Sequence, residues 1–516
     1  MSFELFERFQ YKIKTPAEVV GILGVAPRSE KVIMCHGVFD VVHPGHIRHM
    51  LFAKSKAPIL IASLTADKHI NKGQYRPHIP QELRAINLAA LEFVDYVVID
   101  TNDTPIENLA IIKPDYYAKG FEYNPDKTLN QKTTQEIELL NSYGGEIIFT
   151  PGDFVLSSSR FITESLPNIK IEKLMLLMRH ARISFDDIIN AMQSFSNKTV
   201  HVVGDTIIDS YTNCSMIGGQ TKTPTISVQF ESKTDLLGGA GIVAAHLKAA
   251  GANVKLTTLL GNDELGVLAQ KEFSRLGIVT SLIIDSNRPT VNKNAFVVDN
   301  YRLLKVDTID NRTISDEQLN EIIVSIQSTN ADAVVCSDFR HGIFNKRTIE
   351  RLVQSISPKT YKVADSQVAS RWGNILEFKS FDLITPNERE ARFSLGDQDS
   401  GVRSIAANLY QESKCAVLIL KLSNRGIITH TNPDANGLDS YFVMDSFVDN
   451  LVDPVGAGDA LLAYSTLGML ATQNPVISSI LGNLAAACEC EYNGNLPVTP
   501  EAIKKKIAQI MKSVSG

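Results

Sequence analysis

Short apolar runs alternate with segments of helical hydrophobic spacing in the first third of the chain. Four runs predict buried strands, KVIMCHGVF (31–39), PILIASL (58–64), VDYVVI (94–99) and EIIFT (146–150). The stretches PGHIRHMLFAKS and QELRAINLAALEF between them carry apolar residues at helical spacing. This alternation predicts an α/β unit with a parallel sheet covered on both faces, ending near residue 165.

The pattern changes twice further along the chain. Residues 166–197 are helical in pattern and lack strands, which predicts a connector. A second α/β series then begins with TVHVVGD (199–205) and predicts one large domain over 198–516. Between Ser215 and Leu237 polar and apolar residues alternate in the sequence, as in TPTISVQF. This alternation predicts a small antiparallel β flap on the main sheet.

Composition and charge narrow the class of protein. The 516 residues predict two or three domains, and 44% hydrophobic with 21% charged residues is typical of globular proteins. Neither a membrane-spanning apolar run nor a signal peptide is expected, so the sequence predicts a cytoplasmic protein. The net charge of -6 comes without a basic stripe, so nucleic acid is not an expected partner. The six scattered cysteines predict reduced, mostly buried thiols.

Two histidines mark the first candidate site, in the stretch CHGVFDVVHPGH (35–46). Gly37 to Asp40 lie at the carboxyl end of the predicted strand, and His46 lies at the start of the following helix. A helix N-terminus at this edge of a parallel sheet offers free N–H groups to phosphates, and imidazoles can stabilise charge on a phosphorus under attack. A zinc pair and satisfied core histidines are the alternatives for His43 and His46.

The stretch GVFDVVHPGH resembles the HxGH signature of the cytidylyltransferase-like nucleotidyltransferases, and later segments match in order over residues 30–165. The resemblance implies a Rossmann-like domain that transfers a nucleotide, in which His43 and His46 hold the transition-state phosphates. The implied nucleotide-binding residues are Gly37, Val38, Phe39, Asp40, Lys54, Asp67, Lys72, Arg76, Arg84, Ser157, Ser158 and Ser159.

The segment IKPDYYAKGFEYNP (112–125) is more particular. It resembles the adenylyltransferase half of bacterial ADP-heptose synthases, which implies ATP as the donor and a sugar 1-phosphate as the acceptor. Lys119, Gly120 and Tyr123 are the implied acceptor-binding residues. Phe121 and Glu122 depart from the Gly-Asp of that group and leave the sugar open.

A glycine-rich turn, DPVGAGDA (453–460), marks the second candidate site. Its N–H groups would surround a transferring phosphoryl group, and Asp459 would take the proton of an attacking hydroxyl. A purely structural strand-to-helix turn is the alternative.

The chain from residue 199 onward resembles the ribokinase (PfkB-type) sugar kinases, which implies a ribokinase-like fold, ATP as the donor and Mg²⁺ on its phosphates. Asp459 is then the catalytic base. The implied sugar-binding residues are Asp205, Asp209, Gly238, Gly239, Lys293 and Asp338. The implied nucleotide and anion-hole residues are Asn387, Glu390, Lys421, Ser423, Gly426, Asp453, Gly456, Ala457 and Gly458, and Asn387 and Glu390 are also associated with the metal. Ile242 and His341 replace an asparagine and a lysine of the family pattern.

Together the two halves predict a bifunctional enzyme. The kinase half would phosphorylate C1 of a sugar phosphate, D-glycero-D-manno-heptose 7-phosphate being the favoured substrate. The first half would transfer AMP from ATP to the product, giving an ADP-sugar and pyrophosphate. The alternatives are another sugar or polyol phosphate with CTP, one active half beside a ligand-sensing half, or a structural scaffold. Small-molecule substrates and a homodimer formed through the flap are the expected partners.

Overall fold

The computed structural model describes residues 8–70, 76–120, 131–149, 170–220, 225–299, 301–367, 373–432, 437–492 and 494–515. The chain divides into two compact units, Met1–Glu172 and Lys173–Gly516. Within the described ranges, no helix combines the length and hydropathy needed to cross a membrane.

The first unit contains a five-stranded parallel sheet in the order β3-β2-β1-β4-β5. Its strands are β1 (Val32–Gly37), β2 (Ile59–Thr65), β3 (Tyr96–Asp100), β4 (Tyr116–Lys119) and β5 (Glu146–Phe149). Its helices are α1 (Pro16–Leu23), α2 (Pro44–Lys54), α3 (Gln81–Ala89), α4 (Ile106–Ile112) and α5 (Gln131–Tyr143).

Alternate residues of β1 enter two different hydrophobic clusters, one on each face of this sheet. Ile33 packs with Met50 of α2, whereas Val32 and Met34 pack with Leu109 of α4. A strand buried on both faces requires the continuous apolar run seen in the sequence. The strand order reverses between β1 and β4, so the crevice at their carboxyl ends is the expected ligand site.

The second unit contains a nine-stranded sheet in the order β10-β9-β6-β13-β14-β15-β16-β17-β18. Neighbouring strands are parallel from β10 to β16, and β17 and β18 are antiparallel. The strands are β6 (Thr199–Gly204), β9 (Asn253–Gly261), β10 (Val279–Asp285), β13 (Ala333–Asp338), β14 (Tyr361–Ser366), β15 (Leu383–Ile384), β16 (Val417–Lys421), β17 (Ile427–His430) and β18 (Tyr441–Met444).

Helices follow most of these strands, as the sequence pattern predicts. They are α6 (Lys170–His180), α7 (Phe185–Gln193), α8 (Ala240–Ala249), α9 (Glu264–Arg275), α10 (Asp316–Gln327), α11 (Lys346–Ser355), α12 (Glu388–Leu395), α13 (Val402–Ser413), α14 (Ala457–Thr472), α15 (Pro475–Cys490) and α16 (Pro500–Ser515). Helix α6 begins at the end of the first unit and continues into the second. All six cysteines are free and buried.

A separate four-stranded sheet forms the flap, in the order β12-β11-β7-β8. Its strands are β7 (Thr206–Gln220), β8 (Thr225–Gly239), β11 (Val291–Val298) and β12 (Tyr301–Thr308). β7 pairs with β8 in antiparallel fashion, as predicted, but β11 joins β7 in parallel and extends the flap beyond the predicted segment. Exposed apolar side chains lie along it, including Met216, Ile226, Phe230, Tyr301 and Leu304.

Candidate active sites

His43 and His46 lie side by side at the N-terminus of α2. His43 is the N-cap residue, and its Nδ1 accepts a hydrogen bond of 3.1 Å from the backbone N–H of Gly45. The two imidazole rings stack with their centroids 3.9 Å apart. A neutral imidazole that accepts through Nδ1 carries its proton on Nε2, so His43 is left with an Nε2–H donor for a ligand.

Burial keeps both imidazoles neutral. Desolvation lowers the pKa of His46 to about 4, and the charges of His43 and His49 act in the same direction, whereas a hydrogen bond that the ring donates to the backbone carbonyl of Val41 opposes them. Burial also lowers the pKa of His43. The pair therefore offers hydrogen-bond donors at neutral pH without a full positive charge.

The loop that precedes the histidines is held by hydrogen bonds to the segment before α3. The buried Asp40 accepts hydrogen bonds through Oδ1 from the N–H groups of His78 and Ile79, at 2.8 and 2.9 Å. The carbonyl of Val38 accepts from Arg84, and Phe39 has a φ of 48°. The predicted residues Gly37 to Asp40 are thus fixed at the carboxyl end of β1.

Arg84 and Asp67 form a buried ion pair of 2.5 Å in the same region. Arg84 is fully buried and also donates to the carbonyl oxygens of Thr65 and Ile79. These contacts join β2, α3 and the loop after β1, which is a scaffolding role. Direct contact of either residue with a nucleotide stays a prediction.

Lys54 does not lie with the histidines, contrary to the expectation that it supplies charge to the nucleotide. It ends the 11-residue helix α2 that His43 begins, which separates the two by roughly 15 Å. Its Nζ donates to Asp95 and to the carbonyl of Pro58, both at 2.5 Å. The physical reason is the length of the helix. Its three turns place Lys54 at the amino-terminal ends of the strands, away from the histidines at the carboxyl ends.

The other predicted residues of this unit divide into described and undescribed ones. Lys119 ends β4 and is ion-paired with Glu136, while its Nζ also donates to Thr133 at 3.1 Å. Arg76 and Gly120 are half-buried and described. The remaining predictions, Lys72, Tyr123, Ser157, Ser158 and Ser159, lie outside the described residues.

A buried polar cluster beside the histidines was not predicted from the sequence. The ring nitrogens of His36 lie 3.0 Å from Ser63 Oγ and 3.1 Å from Thr65 Oγ1, and its Nδ1 lies 3.7 Å from Asp100. Burial, with the charge of Lys119, lowers the pKa of His36 to about 4, and burial raises that of Asp100 to about 6. A signal was present, because each of these residues lies at or near the carboxyl end of a predicted strand.

In the second unit, a cavity of about 910 Å³ opens between the flap and the carboxyl ends of the main strands. Many predicted residues line it. These are Asp209, Gly239, Lys293, Asn387, Lys421, Ser423, Gly426, Gly456, Ala457, Gly458 and Asp459. The tertiary fold therefore brings together residues that lie far apart in the sequence, such as Asp209 and Asp459, which are 250 positions apart.

The glycine-rich turn places Asp459 in the first turn of α14. Gly456 is the N-cap residue with a φ of +84°, and a Cβ there would lie 2.9 Å from Glu489 Oε1 and overlap Asn495. Glycine is required because both the backbone conformation and the space exclude a side chain. The first N–H groups of a helix have no acceptor within the helix, so the N-terminus of α14 is suited to bind an anion.

The Asp459 carboxyl is buried against other charged groups. Burial raises its pKa to about 8, with Asp365 and Asp209 adding to this and Lys421 and Lys293 opposing it. A raised pKa makes the ionised carboxylate a stronger base than an ordinary aspartate, which suits it to accept the proton of a hydroxyl group once it is ionised.

Asp209 of β7 and Lys293 of β11 line the cavity from the flap. Asp209 Oδ2 accepts a hydrogen bond of 2.9 Å from Asn495, and a Cβ at Gly238 would overlap that same oxygen. Lys293 lies 5.0 Å above the Phe339 ring, and burial lowers its pKa. A carboxylate and an amine are suitable partners for sugar hydroxyls.

Asp205 and Asp338 are buried, and their carboxylates contact other groups of the protein. Asp205 Oδ2 accepts from the N–H groups of Phe339 and His341, both at 3.1 Å. Asp338 lies 2.9 Å from Arg340 Nε, and burial raises its pKa to about 7. Both residues hold the loop that follows β13, and their contact with a sugar stays a prediction.

Asn387 and Glu390 form the capping box of α12. The N–H of Asn387 donates to Glu390 Oε2 at 2.7 Å, and the amide of Asn387 donates to Oε1 at 2.6 Å. Burial raises the pKa of Glu390 to about 7, with Asp365 adding and Lys421 opposing. Among the described residues no group of three or more His, Cys, Asp or Glu side chains could hold a metal ion.

Asp453 anchors the start of the glycine-rich turn to the flap. It accepts hydrogen bonds from Arg302 of β12 at 3.0 and 3.2 Å and from the Tyr211 hydroxyl of β7 at 3.2 Å. Arg302, Asn495 and Asp365 were not predicted from the sequence. Only Asp365 carried a signal, as an acidic residue near the end of the predicted strand YKVADS.

Known proteins resemble each half of the chain. Residues 34–164 match the cytidylyltransferase-like family model. The bifunctional protein HldE of Sulfurimonas denitrificans is 26% identical over 333 residues, which cover 63% of this chain and 67% of that protein. HldE of Desulfatibacillum aliphaticivorans is 27% identical over 322 residues, covering 61% and 64%. HldE of Pelobacter propionicus is 37% identical over 122 residues, 23% of this chain and 24% of that protein.

The chain thus spans about two thirds of the length of the first two relatives, and its two domains stand in the reverse of the HldE order. Among solved structures, Escherichia coli phosphofructokinase-2 in complex with substrates and products has a TM-score of 0.51 at 14% identity. It covers 61% of this chain and 99% of its own. The same enzyme in complex with potassium has a TM-score of 0.50 at 13% identity, covering 61% and 99%. These similarities show the ribokinase-like fold. Residues 197–502 match the family model of pfkB carbohydrate kinases, so by more than half of its length the chain belongs to the pfkB carbohydrate kinase family.

Proposed function

We propose that the chain catalyses two successive reactions. The second unit phosphorylates the anomeric hydroxyl of a sugar phosphate with ATP, and the first unit transfers AMP from ATP to the resulting sugar 1-phosphate. The observation that supports the proposal is that one chain has two helix N-termini at the carboxyl ends of parallel sheets, one beside a buried carboxyl group and one beside two neutral imidazoles.

In the kinase step, the anomeric oxygen attacks the γ-phosphorus of ATP. Its proton passes to the Asp459 carboxylate, the bond from the γ-phosphorus to the bridging oxygen breaks, and ADP leaves. The N–H groups of the turn at Gly456 to Gly458 stabilise the charge on the transferring group. Asp209 and Lys293 hold the sugar hydroxyls so that the anomeric oxygen faces Asp459.

Mg²⁺, when bound, neutralises charge on the nucleotide phosphates. In kinases it is commonly held by one or two carboxylates together with phosphates and waters. Glu390 fits a water-mediated role, because its carboxylate oxygens already accept hydrogen bonds from Asn387. We propose that Asn387 and Glu390 lie near the metal and contact it through water.

In the transferase step, an oxygen of the sugar 1-phosphate attacks the α-phosphorus of ATP. The bond between the α-phosphorus and the bridging oxygen breaks, and pyrophosphate leaves. The attacking oxygen is already ionised, so no base is needed, and His43 and His46 donate hydrogen bonds to the phosphate oxygens as charge develops. Lys119 supplies positive charge at the end of β4.

The favoured acceptor is D-glycero-D-manno-heptose 7-phosphate, which would give ADP-heptose. The resemblance of residues 112–125 to ADP-heptose synthases supports it, as do Lys293, Arg302 and Lys305, three cations that line the cavity and suit an acceptor that already carries a phosphate. We further propose domain bounds of 1–165 and 198–516, with a connector at 166–197, and a homodimer formed through the apolar flap.

Phosphorus NMR tests the two reactions directly. The protein is incubated with Mg²⁺, ATP or CTP and a panel of sugar and polyol phosphates, with heptose 7-phosphate first. We expect an anomeric phosphate signal, followed by the paired signals of a diphosphate-linked product with ATP. The absence of both signals with every acceptor would refute the proposal. If the diphosphate-linked product forms only with CTP, CTP and not ATP is the nucleotide donor.

A further inference from the structure

Asn495, in the segment between α15 and α16, connects the flap to the glycine-rich turn. Its Nδ2 donates hydrogen bonds of 2.9 Å to Asp209 Oδ2 and of 3.2 Å to the carbonyl of Leu237. Its Oδ1 lies against Gly456, because a Cβ built on that glycine would overlap it. Asn495 lines the cavity and is only 4% exposed. One buried amide therefore contacts both the Asp209 carboxylate and the start of the turn.

We propose that Asn495 is a positioning residue of the kinase half, which orients the Asp209 carboxylate for the acceptor sugar and fixes its place relative to the glycine-rich turn. The proposal rests on the proposed kinase function. Asn495 occupies Oδ2 of Asp209, so Oδ1 is the oxygen left to accept hydrogen bonds from sugar hydroxyls. Because the same amide lies against Gly456, the sugar is held at a set distance from the transferring phosphoryl group.

A purely structural amide accounts poorly for this arrangement. Asn495 Oδ1 is buried and has no hydrogen-bond partner among the described residues. An unsatisfied buried acceptor lowers stability, whereas an apolar side chain of similar size would not. The backbone also leaves room on two sides, because a Cβ on Gly238 would overlap Asp209 Oδ2 as one on Gly456 would overlap Asn495 Oδ1. The effect of the amide on Asp209 therefore explains its presence better than stability does.

The amide also acts on the charge of Asp209. Burial raises the pKa of Asp209, whereas nearby lysines and the hydrogen bond from Asn495 lower it. The titratable groups that face Asp209 from the elements packed around it are Lys293 of β11, Lys305 and Asp307 of β12, Tyr211 of β7 and Asp459 of α14. Removal of the amide alone therefore raises the pKa of Asp209 and leaves less of the ionised carboxylate at low pH.

The first experiment measures the kinetics of phosphorylation with the acceptor found by phosphorus NMR. We expect Asn495→Ala to raise KM for the acceptor by about tenfold and to change KM for ATP by less than about twofold. Loss of folded protein alone would lower the apparent kcat and leave both KM values unchanged. An Asn495→Ala variant with the wild-type KM for the acceptor would overturn the proposal.

The second experiment uses pH to separate positioning of Asp209 from a loss of packing. For Asn495→Ala, the ratio of variant to wild-type acceptor KM should grow from about pH 9 to about pH 6, because Asp209 takes up a proton at a higher pH than in the wild type. Asn495→Asp should show the opposite trend. At low pH the new carboxyl group keeps a proton that it can donate to Asp209, and at high pH two carboxylates repel each other. Ratios that are independent of pH in both variants would show that Asn495 only fills space.

A double-variant comparison tests the contact without any acceptor. Asp209→Asn should raise the unfolding temperature of Asn495→Asp at about pH 8 by more than it raises that of the wild type, because it removes the repulsion between two carboxylates. An equal change in both backgrounds would show that the two side chains do not interact, and the proposal would then fail.

Asn292→Ala is the matched control. Asn292 of β11 is a buried amide whose Nδ2 donates to the carbonyl of Ile208 at 2.9 Å and to Ser210 Oγ at 2.7 Å, on either side of Asp209. Its loss should leave KM for the acceptor within about twofold of the wild type, and a rise as large as that of Asn495→Ala would assign the effect to the flap and overturn the proposal.

The wild-type chain decides the proposed function in the same assays. A wild type that phosphorylates no acceptor refutes that function, and with it the role of Asn495, since there is no sugar to position. An active wild type whose acceptor KM is insensitive to Asn495→Ala refutes the role of Asn495 alone.

Discussion

The two candidate phosphate sites of this chain have a similar backbone arrangement and differ in their side chains. In each, the carboxyl end of a parallel sheet meets the N-terminus of a helix, α2 in the first unit and α14 in the second. The first site presents neutral imidazoles, whose pKa values burial lowers. The second presents a carboxyl group, whose pKa burial raises to about 8.

This difference follows from the attacking atom in each proposed reaction. A phosphate oxygen is ionised before it attacks, so the first site needs donors that stabilise charge and no base. A sugar hydroxyl must lose a proton as it attacks, so the second site needs a base as well as an anion hole. In the proposed mechanism the backbone binds phosphate in both units, and the side chain at the helix start selects the nucleophile.

The largest effect is expected from Asp459→Asn. The amide keeps the shape of the side chain but cannot accept the proton, so we expect sugar phosphorylation to fall by about 10³-fold. Transfer of AMP to supplied sugar 1-phosphate should be unchanged. Separate assays of the two steps check this, and a variant with wild-type phosphorylation would remove Asp459 from the mechanism.

His46→Ala is expected to have the complementary effect. Loss of one donor to the developing charge should lower AMP transfer by about 10² to 10³-fold, with phosphorylation of the sugar retained. Release of pyrophosphate measures AMP transfer, and release of ADP measures phosphorylation of the sugar. Each variant serves as the folding control of the other, and equal loss of both activities would contradict the assignment of one site to each reaction.

The sequence was a good guide to the fold because burial on both faces of a parallel sheet leaves continuous apolar runs. The strand at KVIMCHGVF and the helix at PGHIRHMLFAKS are both present, as β1 and α2. The extension of the flap by β11 and β12 could not be predicted in the same way. Both strands lie far along the chain from β7, and β12 is exposed along almost its whole length, so its apolar pattern is weak.

The positions of the candidate site residues were predictable where those positions depend on local structure. Asp459 follows directly from the glycine-rich turn, and His43 from the helix start. Lys54 was misplaced because a sequence motif does not show which end of a helix reaches the ligand. Arg302 and Asn495 were missed because each reaches its carboxylate partner, Asp453 or Asp209, only through the tertiary fold.

The pH dependence of the two reactions should differ in a way that sharpens the comparison. Asp459 must be ionised to act, and its pKa is raised to about 8, so kcat/KM of phosphorylation should rise about tenfold per pH unit up to about pH 8. His46, with its pKa lowered to about 4, stays neutral throughout this range. AMP transfer should therefore vary little between pH 7 and 9.

Assays of each step with saturating Mg²⁺ from about pH 6 to about pH 9 provide the measurement. A kinase profile that is flat from pH 6 to 8 would show that Asp459 is ionised well below the expected pH. A fall in AMP transfer as the pH rises through 7 would show that a cationic imidazole is required. Either result would contradict the proposed difference between the sites, a carboxyl group with a raised pKa in one and neutral imidazoles in the other.

The smallest effect concerns stability, where the same carboxyl group should act against folding. The pKa of Asp459 is raised to about 8 in the folded chain, above the usual value of 3.8. Between these values the folded state holds a proton that the unfolded state has released, so the free energy of unfolding falls as the pH rises from about 4 to about 8. Asp459→Asn removes this dependence and should stabilise the second unit by about 1 to 3 kcal/mol at pH 8, and by much less at pH 5. Thermal unfolding at both pH values tests it, with Glu321→Gln as the matched change of an exposed carboxylate. An Asn variant no more stable than the wild type at pH 8 would show that the site holds the ionised carboxylate without cost.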